Sequence, residues 1–182
     1  MLTTLKVIVV LAVVAYVAIL ILMVVAQDRL LYPSAGVAQP LPPQSELARS
    51  GLEAWPETDP VSLLASPDSA RATVVVFHGN GGTALQRGYY VDALRSHGLR
   101  VMLAEYPSYG WRSGNVSETE LVADARTTLE LAYEAFGGPL IVWGESLGAG
   151  VNTETMPGSK HWKRGWRIRT ECRDGCPMSR RL

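Results

Sequence analysis

The sequence predicts an α/β fold, a parallel sheet with helices on both faces, behind one amino-terminal transmembrane helix. Three observations predict it. Residues 7–26 carry no charge, and only Tyr16 among them is mildly polar. Between residues 73 and 151, strand-like apolar runs alternate with helical patterns, the signature of βαβ units. Two of those runs, 73–77 and 139–143, end in glycine-rich loops, where open α/β sheets bind their ligands.

The charge balance narrows the class. The 182 residues hold 17 Lys/Arg against 17 Asp/Glu, so nothing in the total calls for a nucleic acid or another charged partner. The zero hides an asymmetry. Residues 1–151 carry 9 basic against 14 acidic side chains, and residues 152–182 carry 8 against 3.

At 1.5 Å per residue, the twenty residues 7–26 match a hydrocarbon core of about 30 Å. A buried helix of that length would show a polar face. A cleaved signal peptide ending at Val24-Val25-Ala26 is the competing reading, but the apolar run exceeds the roughly 7–15 residues of a signal core. We therefore expect an uncleaved anchor. Lys6 precedes it while Asp28 and Arg29 cancel after it, so residues 1–6 are expected in the cytoplasm and the bulk of the chain on the periplasmic or extracytoplasmic side.

Residues 27–72 read as linker and weak edge strands. Tyr32-Pro33 suits a membrane interface. The proline-rich stretch 39–44 reads as a short extended spacer. Segments 52–55 and 61–65 are either an antiparallel sheet edge or coil.

From residue 73 the order is clear. Thr73-Val-Val-Val-Phe77 is β-branched without polar alternation, as in a central strand buried on both faces. Its loop, His78-Gly79-Asn80-Gly81-Gly82, lets backbone N–H groups approach a ligand. Phosphate cradle and oxyanion hole compete here. With neither Gly-Lys-Ser/Thr nor G-x-G-x-x-G, the nucleotide reading fails. His78 reads as structural rather than as a base. A helix is expected over 83–96, ended by Gly98, with His97 at its last turn. A strand follows over 100–106. Ser117-Glu-Thr-Glu120 is a capping box opening a helix with Leu121, Ala125, Leu129 and Phe136 on one side.

The chain is organised around Gly144-Glu145-Ser146-Leu147-Gly148. An apolar strand running into Gly-x-Ser-x-Gly is a nucleophile elbow, a tight strand-to-helix turn that exposes the serine hydroxyl. Side chains at Gly144 or Gly148 would collide with the neighbouring strand and helix. Leu147 can offer its N–H to a developing oxyanion. The bland alternative is a glycine-rich turn with an incidental serine.

Taken together, the motifs Q-D-R-L-L-Y-P, V-V-V-F-H-G-N-G-G, L-A-E-Y-P-S-Y-G-W-R-S-G and V-W-G-E-S-L-G-A-G, in this order over residues 27–150, resemble the α/β-hydrolase superfamily. The likeness is to its membrane-anchored Bem46-like and monoglyceride-lipase-like (serine aminopeptidase S33) serine hydrolases. That resemblance implies Ser146 as nucleophile, Asn80 and Leu147 as oxyanion-hole N–H donors, Gly79 as a loop glycine, and no cofactor or metal. It implies acyl transfer to water from a small ester, thioester, amide or peptide substrate, with the lipid bilayer as the other partner and no nucleic acid. Glu105-Tyr106-Pro107 stands where the family usually has aspartate-tyrosine-arginine.

The pattern breaks after residue 151. Triad order on this fold is Ser, Asp or Glu, then His. Of the 36 residues after Ser146, His161 is the sole histidine and Asp174, the only aspartate, follows it. Residues 152–182 form a basic, irregular tail with two Val/Ile/Leu residues, Ile168 and Leu182, and no sheet-like period. The expectation is an incomplete α/β-hydrolase fold, truncated or frameshifted near residue 151, with residues 73–151 as its amino-terminal part. Activity is expected to be impaired, with His161 as a substitute base only if the tail folds back. The alternative is a non-catalytic remnant. Cys172 and Cys176 cannot complete a four-ligand zinc site alone and read as incidental.

Overall fold

The computed structural model describes residues 2–155. In chain order these form helix α1 (Leu2–Leu31), helix α2 (Gln44–Arg49), strands β1 (Glu53–Trp55), β2 (Ser62–Ala65) and β3 (Ala72–Phe77), a 3-10 turn at Ala84–Arg87, helix α3 (Tyr89–Arg95), strand β4 (Leu99–Ala104), helix α4 (Glu118–Phe136), strand β5 (Leu140–Gly144) and helix α5 (Leu147–Thr155). Helix α1 is long and apolar enough to cross a membrane, and none of its apolar window is buried.

The strand order is β1-β2-β4-β3-β5. The valine run of β3 lies between β4 and β5, parallel to both, with Val75 paired to Met102 on one side and Val142 on the other. Strands β2 and β1 extend the β4 edge antiparallel. Of the two readings left open for 52–55 and 61–65, the sheet edge is the one observed.

Alternation along β3 divides the core. Val75 and Phe77 face α4 and α5, packing with Leu121, Ala125 and Leu129. Val74 and Val76 face α2 and α3, packing with Leu47, Ala84 and Val91. Both faces of the sheet are therefore covered by helices, which is why this strand needs no polar residue. Ser117 caps α4 as its sequence predicts, its hydroxyl accepting from the Glu120 N–H at 3.2 Å.

Two expectations need correction. The helix expected over 83–96 is broken: a 3-10 turn ends at Arg87 and α3 starts at Tyr89, with Gly88 between them. The proline-rich spacer does not stand off from the domain. Gly36 and Gln39 donate backbone hydrogen bonds to the carbonyls of Ser108 (2.6 Å) and Gly110 (2.8 Å), and Pro43 is the N-cap of α2, whose Leu47 is buried. Tyr32, just past α1, is 9% exposed and packs in the core with Tyr106, Tyr109 and Leu121.

Candidate active site

Ser146 sits between the last residue of β5 and the first of α5, in the left-handed region at φ 49°. A non-glycine residue there carries about 1–2 kcal/mol of strain, which the surroundings must over-determine. They do. The Glu145 N–H donates to the Phe77 carbonyl at 3.0 Å, locking the turn onto the end of β3. Gly148 and Ala149 then donate to the carbonyls of Glu145 (2.8 Å) and Ser146 (2.9 Å), starting α5 at once. The side chain of Ser146 is exposed.

Both flanking glycines are required by close approach. A Cβ on Gly144 would lie 2.5 Å from Asn152 Nδ2 and nearer still to the Gly148 backbone. A Cβ on Gly148 would lie 2.7 Å from the Phe77 carbonyl carbon and nearer to its oxygen. Gly79 differs: a Cβ there would rest 3.5 Å from both Ser146 Cβ and the Glu145 carbonyl, an ordinary contact. That distance sets the 78–82 loop directly against the serine.

The loop is held from several sides. Asn80 donates through Nδ2 to the carbonyl of Leu31, the last residue of α1, and accepts at Oδ1 from the Tyr109 hydroxyl at 2.6 Å. Burial, then the nearby Tyr32 and Glu105, push Tyr109 up to about 12, so this hydroxyl keeps its proton and stays a donor at neutral pH. Tyr106 donates to the His78 carbonyl at 3.1 Å. Leu147 is half-buried against the α4 side of the core.

His78 has no freedom to act as a base. It is fully buried, with Nδ1 donating to the Gly79 carbonyl at 2.8 Å and Nε2 facing Glu105 Oε1 at 2.7 Å. Glu105, 1% exposed, also accepts from the N–H groups of Ala84 (3.0 Å) and Tyr106 (3.1 Å). His97 is exposed beyond α3, beside the start of β4 and so at the opposite end of the sheet from Ser146. His161, Asp174 and the two cysteines lie outside the described residues.

One cluster went unforeseen. The carboxylate of Glu145, the variable residue of the motif, accepts from Arg87 Nε at 2.7 Å, from Tyr90 at 2.7 Å and from the hydroxyl of Tyr89. Trp143 in turn donates to the Tyr90 hydroxyl at 2.9 Å. Nothing local in the sequence marks these tyrosines, since their partner lies 55–56 positions away. Burial alone would raise Glu145, but the hydrogen bonds from Tyr89, Tyr90 and Arg87 outweigh it and hold the carboxyl below its ordinary 4.5. A depressed carboxyl stabilises the fold above its unfolded value and stops doing so as pH falls through its folded one. Wild type should therefore melt above Glu145→Gln at neutral pH, and the two curves should converge as pH drops below 4.5. Thermal unfolding across pH measures this, and a gap that persists in acid would contradict it.

No family model matches the chain. Among known proteins it is 36% identical over 154 residues to the uncharacterised Mycobacterium tuberculosis protein Rv2307c, a match covering 78% of this chain and 54% of the relative. It is also 33% identical over 91 residues to the lysophosphatidylserine lipase ABHD12 of Danio rerio, covering 48% of this chain and 24% of that protein. The lipase relative and the mixed α/β sheet with its Gly-x-Ser-x-Gly turn support an α/β-hydrolase superfamily for this chain. It spans about half the length of the curated mycobacterial relatives it matches. A solved structure, TT1662 from Thermus thermophilus, superposes with a TM-score of 0.44 at 25% identity, covering 50% of this chain and 44% of that one. In an α/β-hydrolase the strand-to-helix turn carrying Gly-x-Ser-x-Gly lies at the carboxyl edge of the sheet. Here the loop after β3 lies against the same turn.

Proposed function

We propose that this protein is a membrane-anchored serine hydrolase that cleaves an acyl bond through Ser146. The observation that carries the proposal is an exposed serine at positive φ in a glycine-bounded turn, with the Gly79 backbone against it. In this reading Ser146 Oγ adds to the acyl carbonyl and gives its proton to a general base. The N–H groups of Asn80 and Leu147 stabilise the oxyanion, the leaving group departs with that proton, and water then releases the acyl group from the serine. Both histidines among the described residues lie outside this chemistry, so the base comes from beyond them, and His161 is the histidine the sequence offers there. Helix α1 is the anchor, with the amino terminus cytoplasmic and the domain on the other side of the membrane. Residues 73–151 form the amino-terminal part of the catalytic domain.

The lipase relative favours a lipid ester, and a single-chain lipid such as a lysophospholipid is the substrate class we assign. The test is labelling of the full chain in detergent by a fluorophosphonate probe. Labelling that disappears in Ser146→Ala supports the enzyme. A folded chain that takes no label points instead to a non-catalytic remnant, because losing a triad partner costs several orders of magnitude in rate.

A further inference from the structure

Helix α1 runs without a break to Leu31, and Tyr32 still donates to the Asp28 carbonyl at 2.9 Å. The very next contacts belong to the candidate site. The Leu31 carbonyl accepts from Asn80, Tyr32 is packed with Tyr109 and Leu121, and Gly36 is tied to Ser108. No free linker separates the end of the apolar helix from the strand-end face that carries Ser146. If α1 spans the bilayer, the catalytic edge is held at the bilayer surface.

A groove of about 420 Å³ opens at the same place, between α4 and α5. It is within the roughly 300–1,000 Å³ of small-molecule sites. Tyr32, the first residue past the apolar helix, lines it, and so do Leu147 and Gly150, which flank and hydrogen-bond the turn of Ser146. Leu121, Val122 and Val151 supply the hydrocarbon lining. Among the described residues its charged lining is Glu118 and Glu154, both acidic, which repel a phosphate or carboxylate head group and leave an alkyl chain unaffected.

We propose that this groove receives the acyl chain of a single-chain lipid drawn laterally from the leaflet where α1 emerges. The inference rests on the reading of Ser146 as nucleophile and α1 as membrane span, and deepens it. A chain sliding from the bilayer into an apolar groove that starts at Tyr32 stays out of water throughout. The same chain approaching through solvent would expose every methylene on the way. Lateral entry delivers the ester at the head of the chain to the turn beside Leu147.

The experiment is photocrosslinking of the full chain in phosphatidylcholine vesicles containing lysophosphatidylcholine with a diazirine in its acyl chain. Adducts are mapped by mass spectrometry. They are expected on α1, from bulk lipid, and on the peptides around residues 118–122 and 147–154. A Cβ on Gly150 meets nothing within 4 Å, so Gly150→Phe can fill the groove without disturbing the backbone. That variant should lose the groove adducts and keep those on α1, with an unchanged helical circular-dichroism spectrum. Gly150→Ala, too small to fill the space, should retain both sets. Adducts confined to α1 in wild type, or groove adducts that survive Gly150→Phe, would overturn the proposal. Crosslinking needs no catalysis, so Ser146→Ala should leave the groove adducts intact. Absent fluorophosphonate labelling with intact groove adducts would sink the hydrolase reading alone.

Discussion

Gly148→Ala should unfold the domain or cost it about 3 kcal/mol or more, beyond the usual range for a surface substitution. The added methyl would meet the backbone of Phe77, and no flexible side chain stands in between to give way. Phe77 cannot retreat, because it is the last residue of β3 and pairs with Ala104 on one side and Gly144 on the other. Moving α5 outward instead would stretch the Glu145 N–H bond to the Phe77 carbonyl and open the turn that holds Ser146. Gly150→Ala, two residues on, supplies the contrast. Its methyl meets nothing within 4 Å. Alanine is the better helix former, so that change should be neutral or stabilise by about 0.5–1 kcal/mol. Thermal melts of the two variants in one detergent decide the matter. Equal melting temperatures would show that α5 can shift, and the tight strand–helix approach would then not be what fixes the serine.

The contrast also marks how far sequence carried. Gly144 and Gly148 were legible because their spacing around a serine, after an apolar strand, has one geometric use. The β3 run and the α4 capping box were legible because their signals are local: β-branched density in one, a side chain three residues from its partner in the other. What stayed illegible depends on pairs far apart in the chain. Arg87 looked like a mid-helix cation, yet it binds Glu145, 58 positions on, and the helix breaks at the next residue, Gly88. Tyr32 looked interfacial because it follows an apolar span. The fold also brings Tyr106, Tyr109 and Leu121 around it, which its neighbours in sequence do not show. Glu105 looked like a small departure in a loop, although two backbone N–H groups and His78 Nε2 converge on its carboxylate.

That convergence makes Glu105→Gln the second large effect expected. The wild-type carboxylate accepts the Tyr106 N–H at 3.1 Å with the oxygen that faces His78 Nε2 at 2.7 Å, and the Ala84 N–H at 3.0 Å with the other. A glutamine has one acceptor oxygen, and its NH₂ would point a donor at a donor, so at least one of these groups is orphaned in a site that is about 1% exposed. Leaving a buried donor without its acceptor costs about 1–3 kcal/mol, a large share of a stability of about 5–15 kcal/mol. Nor can the site relax around the change. Gly110, at φ 53°, lacks a side chain where a Cβ would lie 2.9 Å from the Glu105 carboxyl carbon, and the His78 ring is wedged between Tyr106 and Tyr109. The loss should reach the loop after β3, since His78 and Ala84 bracket it, so Asn80 should exchange its amide hydrogen faster even where the sheet survives. Pairing the change with His78→Phe removes the ring nitrogen that faces this carboxylate. The double variant should be less destabilised than the sum of its parts, by about 0.5–3 kcal/mol for residues in direct contact. Simple additivity in that cycle would mean that His78 and Glu105 are neighbours without being partners, and the loop beside Ser146 would have to be held by the tyrosines alone.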